Sequence, residues 1–420
     1  MMVRKLMAAL VLAAALASPA AAAPGATVEE LLDWLERASP ELAAMRHEAA
    51  AAEARVDPAG AFDDPAFRIE LRDIAGDASS PSTFNLSPAR VGSTKYTVEQ
   101  MIPLWGKREL RREIAAAAAA AADGQRRTVT VELREQVKSA FARHYQVRRA
   151  AVLTRDILEL LRSLEQSVAA RYATGRVPQQ DVIKSQLEQT AMTSDLIGLE
   201  AESRQSAARL NGLLNRPGDA PLAEPRKLRP VPGSAVLEPG LLEQRIRDAN
   251  PLLFAQASQV QAAERNRDLV RQNRYPDLSI AVSPIQEGNR LANWDVMFGI
   301  SIPLQQDRRR AEEREAAEML AAAHARREAT SARLLGELRQ AQAALEAARR
   351  QESLIAASLL PQARLTYEAA LAGYETGRVD FATLLDAQRQ ILRAQLDELK
   401  AQVEQQVRLA EIERLVGGEL

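Results

Sequence analysis

The sequence predicts a mainly α-helical chain that carries two amphipathic β-hairpins and is built as a tandem duplication. Three observations predict it. Alanine, leucine, glutamate, glutamine and arginine dominate, and aromatics are only 4% of 420 residues, which is the composition of long helices rather than of a thick aromatic core. No proline interrupts the 66 residues from Gly106 to Arg171, long enough for a helix of about 100 Å. Tyr172-Ala-Thr-Gly175-Arg176-Val177 recurs as Tyr374-Glu-Thr-Gly377-Arg378-Val379, an offset of 202, the mark of an internal repeat. The balance of 55 basic against 56 acidic residues recommends no nucleic-acid partner. With no cysteine there is no disulfide, thiolate metal site, catalytic Cys or lipid anchor on Cys.

Residues 1–22 read as a signal peptide. Arg4 and Lys5 precede a twelve-residue apolar run, Leu6 to Ala17, and small residues follow up to an expected cleavage after Ala22. Twelve residues are too few to span a bilayer as a helix, so a mature chain that enters a membrane must do so as a β-barrel. The first repeat occupies 23–216. It opens on an amphipathic helix expected over Val28 to Val56, followed by strands near 65–73 and 93–102. In the first strand Phe67, Ile69 and Leu71 alternate with Arg68, Glu70 and Arg72, the period of a half-buried strand. A Gly-, Ser- and Pro-rich loop from Gly76 to Gly92 joins the two.

Six prolines between Pro217 and Pro239 mark a linker over 217–239 that cannot be helix interior. The second repeat, 240–420, carries strands expected at 276–283 and 293–302, with Pro284 to Asn293 as the turn. Leu278, Ile280 and Val282 alternate outward, and Trp294, Val296, Phe298, Ile300 and Ile302 return. Four strands cannot close a barrel alone, since about eight is the smallest closed number. They pack on the helices, or several chains pool them. Trp294, Tyr275 and Tyr96 near strand ends suit an interfacial aromatic girdle and favour pooling.

The helices show a heptad stripe. Leu334, Leu338, Ala341, Leu345, Ala348, Glu352, Ile355 and Leu359 step by 4 and 3, as do Leu133, Val137, Ala140, His144, Val147 and Ala151. Each repeat therefore ends in a long helical hairpin, with its tip near residue 175 or 377. Gly175 and Gly377 fit tips because a reversing chain needs positive φ. His47, His144 and His324 lie far apart without ligand spacing, so no metal or cofactor site is expected, and His144 reads as a packing residue. No phosphate loop, nucleophile elbow or zinc-protease pattern occurs, and no enzyme is expected.

Together these features resemble the TolC family of outer-membrane efflux proteins over essentially the whole mature chain. The most specific residues are Tyr172-x-x-Gly175-x-x-x-x-x-Asp181 and Tyr374-x-x-Gly377-x-x-x-x-x-Thr383-Leu-Leu-Asp386. Gln100-x-x-Pro103-x-x-Gly106-Lys107-Arg108 looks like the branch serving heavy-metal cation exporters (CzcC-like). The resemblance implies a homotrimer in the outer membrane, pooling twelve strands into one barrel above an α-helical periplasmic tunnel with the Pro-rich linker at its equator. It implies a periplasmic adaptor docking at the tips (Tyr172, Thr174, Gly175, Arg176, Thr376, Gly377 and Arg378) and an inner-membrane RND-type pump as energy source. It implies a periplasmic gate in which Asp386 forms an acidic ring, Tyr374 hydrogen-bonds Asp181, and Thr383 stands at a second ring position. Arg378 is displaced by one residue from the family's gate arginine. Cargo stays open between heavy-metal cations, small organics and a type I secreted protein. A soluble periplasmic coiled-coil scaffold is the alternative of another class.

Overall fold

A computed structural model describes residues 23–74 and 86–420; the expected signal peptide and part of the 76–92 loop lie outside the described residues. Elements follow the chain as α1 (Val28–Ala38), α2 (Pro40–Glu53), α3 (Val56–Ala59), β1 (Ala66–Arg72), β2 (Ser93–Ile102), α4 (Lys107–Ala173) and α5 (Gln179–Leu213). Then come α6 (Pro239–Ala249), α7 (Pro251–Gln272), β3 (Asp277–Glu287), β4 (Arg290–Ser301), α8 (Gln306–Leu354), a π-turn (Ile355–Leu359), α9 (Leu360–Glu375) and α10 (Phe381–Val416). Two compact units result: residues up to 43 with 129–248 and 334–420, and residues 44–128 with 249–333.

Two boundaries differ from expectation. The helix expected over 28–56 is three pieces, because Ser39 is extended (ψ 117°) ahead of Pro40, whose ring disfavours α geometry in its predecessor. The second hairpin is longer than 276–283 and 293–302: β3 runs through Pro284 to Glu287 and β4 starts at Arg290. Gly288, at φ +58°, reverses the chain in two residues. Pro284 stays in the strand because it keeps its pairing with Trp294, whereas opposite β2 no partner is registered for Ser283 or Pro284. A proline cannot donate to the ladder. Beside this gap, side chains bridge the strands: the Thr97 and Ser283 hydroxyls are 2.9 Å apart, and the Tyr96 hydroxyl bonds Gln286 Oε1 at 3.0 Å.

The four strands form one antiparallel sheet in the order β1-β2-β3-β4. The β2–β3 ladder thus joins the two repeats. Residues aligned across it sort by face, with Met101, Ile285 and Met297 as exceptions on the polar side and Tyr96 and Gln100 on the apolar side. Phe67 and Ile69, Val98, Ile280 and Val282, and Val296, Phe298 and Ile300 share one face. Arg68 and Glu70, Lys95, Thr97 and Glu99, Ser279 and Ser283, and Asp295 share the other. Lys95 and Asp295 pair there at 2.9 Å.

At the helical end of the sheet the Gln100–Arg108 motif acts as a clamp. Trp105 and Gly106 take φ of +64° and +73°, turning β2 into α4. The buried Lys107 ammonium donates to Tyr275 O at 2.8 Å and Asp277 Oδ1 at 2.9 Å. Asp277 Oδ1 also accepts from Leu104 N, and Trp105 Nε1 donates to Pro276 O. Gln100 reaches Asp63 O, and Arg108 reaches Gly60 O while covering the Phe62 ring.

In the other unit α1 buries Val28, Leu31, Leu32 and Leu35 against Leu133, Val137 and Phe141 of α4 and Leu210 of α5. The proline-rich segment runs extended, with Ala223 and Arg226 donating to Pro24 and Ala26 carbonyls. Buried Lys138 and Glu413 pair at 2.8 Å, and Arg229 of that segment joins Glu413 at the same distance.

Removing one partner of a buried ion pair leaves the other uncompensated. Lys107→Ala should therefore lower unfolding free energy by about 2–4 kcal/mol, read from the denaturant midpoint. Arg72→Ala, at an exposed pair on the same sheet, should cost less than about 1 kcal/mol.

Candidate functional site

The hairpin tips are built alike. Each first helix ends in a glycine of positive φ, Gly175 at +69° and Gly377 at +73°. Beyond it, Arg176 N donates to Arg171 O and Gly175 N to Tyr172 O; Arg378 N donates to Gly373 O and Gly377 N to Tyr374 O. These are the paired closing bonds that satisfy the last carbonyls of a helix. The Thr174 hydroxyl donates to Arg171 O at 2.9 Å, and that of Thr376 to Ala372 O at 3.0 Å. A Cβ at either glycine would meet nothing within 4 Å, so backbone conformation alone demands glycine there. Thr174, Gly175, Arg176, Thr376, Gly377 and Arg378 are all exposed.

The two tyrosines differ. Tyr172 is exposed, while Tyr374 is buried at 8% exposure, its ring 5.4 Å from that of Phe381 and under the Arg171 guanidinium. Tyr374 belongs to a core that draws Leu158, Leu161 and Val168 from α4, Met192 from α5 and Phe381, Leu384 and Leu385 from α10. The tips of both repeats are thus packed together. A cleft of about 620 Å³ opens beside it, lined by Arg171, Asp181, Lys184, Tyr374, Glu375 and Asp380 among others.

At the residues expected to form the gate, Tyr374 Oη is buried without a partner in the single chain, and Asp181 shares its cleft. Thr383 completes the start of α10, where Asp380 Oδ1 accepts from Thr383 N at 2.9 Å and from its hydroxyl at 2.5 Å. Asp386, exposed, has a cationic neighbour: Arg389 Nη1 lies 3.3 Å from its Oδ1. Arg389 binds chiefly the buried Glu188 carboxylate of α5, through Nε at 2.8 Å and through Nη2. This fork ties the first hairpin to the second. Sequence reading missed Glu188 and Arg389, because residues 201 apart declare no pairing; Asp386 and Arg389, three apart on one helix, were the available signal.

Burial holds the Asp181 carboxyl above the usual carboxylate range, with Lys184 opposing and Asp380 adding to the shift. Burial likewise raises the Tyr374 phenol; the Asp181 charge adds to this and Arg171 opposes it. Hydrogen bonds from Thr383 pull Asp380 down. The two aspartates respond to pH oppositely. Asp380 contributes stability above its ordinary value that is lost as pH falls through its depressed one. Asp181 costs stability as pH rises through its raised one. His144, buried with Nδ1 2.8 Å from the Ser206 hydroxyl, is depressed by burial and by Arg148. Among the described residues no group of His, Asp or Glu is placed to hold a metal ion.

The sheet, in the other unit, is a second candidate surface. Phe67, Trp294, Phe298 and Ile300 are each more than 60% exposed, so no layer of the described residues covers them. The edges β1 and β4 are unpaired among the described strands. No helix of the described residues is long and apolar enough to cross a membrane. A model of the outer membrane efflux protein family matches residues 31–216 and again 242–418. The chain belongs to the outer membrane efflux protein family.

Within it, this outer membrane efflux protein is 23% identical over 329 residues to the cobalt-zinc-cadmium resistance protein CzcC of Cupriavidus metallidurans, covering 77% of this chain and 78% of that one. Its fold is similar to solved outer-membrane channels. CusC superposes with a TM-score of 0.80 at 19% identity, covering 93% of this chain and 92% of the other. OprN gives 0.79 at 19%, covering 93% and 90%. VceC of Vibrio cholerae gives 0.78 at 16%, covering 93% and 96%. Family and fold are those of channels, and the double match reflects the tandem repeat.

A buried hydroxyl without a partner contributes nothing that its removal forfeits. Tyr374→Phe should therefore change unfolding free energy by less than about 1 kcal/mol, while Phe381→Ala, at a fully buried ring, should cost about 3–5 kcal/mol. Thermal unfolding of the two variants checks both; a loss above about 1.5 kcal/mol in Tyr374→Phe would reveal a hydrogen bond in the assembled protein.

Proposed function

We propose that this outer membrane efflux protein is the exit channel of a tripartite, RND-type system that passes heavy-metal cations from the periplasm to the exterior. It works as a homotrimer with a periplasmic adaptor and an inner-membrane pump. One observation carries the reading: a sheet with an exposed apolar face, a polar opposite face and two open edges. Such a sheet is satisfied where lipid covers the apolar face and like sheets close the edges, because hydrocarbon tolerates no unpaired strand. Three copies supply twelve strands, within the range of closed barrels. Trp294 at the turn end and the stacked Trp105 and Tyr275 at the helical end (ring centroids 5.0 Å apart) suit the two membrane–water interfaces. The same exposed face disfavours a soluble scaffold. The likeness to CzcC favours metal cations over small organics or a secreted protein.

The tips then serve as the docking surface and the gate. Tyr172, Thr174, Gly175 and Arg176, with Thr376, Gly377 and Arg378, offer the adaptor two equivalent turns. The closed state is held by the Arg389–Glu188 fork and by Arg171 on Tyr374, with Asp181 alongside. Asp386, partly neutralised by Arg389, and Asp380 supply the negative field at the entrance, which favours cations without binding them tightly. Thr383 holds Asp380 in place.

The channel should require detergent for extraction and run as a trimer; a soluble monomer would overturn the reading. In planar bilayers Arg389→Ala should raise resting conductance severalfold, and Asp386→Ala should lower the cation-to-anion permeability ratio. In cells lacking the gene, loss of tolerance to cobalt, zinc or cadmium, with drug tolerance unchanged, assigns the cargo; the opposite pattern assigns organics.

A further inference from the structure

The two long helices that enter the tips are equivalent by repetition, and their buried seams can be aligned. Leu133, Val137, Ala140, His144 and Thr154 of α4 match Leu334, Leu338, Ala341, Leu345 and Ile355, each 201 positions on, and all ten are buried. Beyond that point the spacing changes. Leu158, Leu161 and Val168 match the buried Leu360, Ala363 and Ala370 at 202, the offset that also relates Tyr172 to Tyr374. The second repeat holds one extra residue, and it falls in the π-turn Ile355–Leu359, where Leu360 N donates to Ile355 O five residues back.

The heptad stripe read from sequence would keep Leu359 on the seam, as a continuous α-helix would. Leu359 is instead 45% exposed, and Leu360 has taken its place. One residue in an α-helix corresponds to a rotation of about 100°. Two registers are therefore available to α9. In the π register Leu360, Ala363, Ala370 and Tyr374 face the seam. In an all-α register Leu359, Gln362, Thr366, Ala369 and Gly373 would face it, and Tyr374 would turn about 100° away from the seam. Pro361 lies beside the turn; its ring clashes with the carbonyl four residues back in a regular helix and so disfavours the all-α register. The observed register also leaves Tyr374 Oη, Ser185 Oγ and Gln388 Nε2 buried without partners near the tip, groups that would gain hydrogen bonds on meeting water.

We infer that the π-turn at 355–359 is a rotary joint: its conversion to α-helix turns α9, withdraws Tyr374 from the core shared by the two hairpins and loosens the tip. The joint is confined to the second repeat, so the two hairpins are unequal partners in opening. Its role in gating rests on the channel reading above; its existence does not.

The chain has no cysteine, so single thiols report register without background. In the full-length protein in detergent, Ala369→Cys and Ala370→Cys are reacted separately with a water-soluble maleimide. Ala369 is exposed and Ala370 buried, so the thiol at 369 should react at least tenfold faster. Pro361→Ala should narrow or invert that ratio, slowing 369 while speeding 370. Deleting Ala357 removes the extra residue and restores the 201 offset, so the original ratio should return and no longer respond to Pro361→Ala. A ratio unchanged by Pro361→Ala, or both thiols unreactive in every background, would overturn the joint. Reciprocal labelling accompanied by no conductance in planar bilayers would leave the joint standing and overturn the channel.

Discussion

Backbone N–H and C=O groups along the outer edges of β1 and β4 meet no other strand among the described residues, and beside them Phe67, Trp294, Phe298 and Ile300 of one face stand exposed. Water can satisfy the edges but not the face; lipid can cover the face but not the edges. A closed ring of such sheets in a bilayer would meet both conditions. The sheet is fixed to the start of the helix that follows β2. The Lys107–Asp277 clamp does so at the point where strand becomes helix, with Trp105 and Gly106 absorbing the turn in the left-handed region. A buried ammonium with two acceptors fixes direction better than an apolar contact, because its bonds have required geometry.

The repeats share turns and differ in interiors. Both tips close with the same pair of backbone bonds around a glycine. Behind them, α5 begins after Pro178 with no side-chain cap, whereas α10 begins on Asp380 with Thr383 bonded to it. Duplication preserved the exposed ends, where backbone conformation dictates the residue. It let the buried and charged positions diverge: Glu188 and Arg389 form a cross-hairpin fork with no counterpart expected from symmetry.

Most of this fold was legible because it rests on periodicity. Alternation in Phe67–Leu71 and Trp294–Ile302 identified the strands, and the 3–4 stepping from Leu334 to Ile355 identified the seam. Legibility failed where one local group overrides a period. Ser39 breaks a helix because Pro40 follows it. Pro284 looks like a turn residue yet stays in a strand, since its lost donor falls where Thr97 and Ser283 hydroxyls bridge instead. Leu359 leaves the seam because a single added residue is invisible to heptad counting. At the tips a Tyr374–Asp181 bond is what the family resemblance implies, and in the single chain that hydroxyl lies unpartnered beside Phe381. Charge partners distant in sequence, such as Arg389 and Glu188, follow from three-dimensional placement alone.

The central ladder of the sheet also dictates an order of events. Thr97 and Ser283 touch across β2 and β3 although 186 residues separate them. Helices nucleate locally and quickly, whereas a pairing of this span waits on closing a very long loop. In chain order the first hairpin has its β2 edge unmatched until β3, Asp277–Glu287, exists, about two thirds of the way along the 420 residues. Those strands are hydrophobic segments of the kind that template unwanted β-association. The long-range β2–β3 pairing therefore sets the late step of the fold, whatever the helices do first.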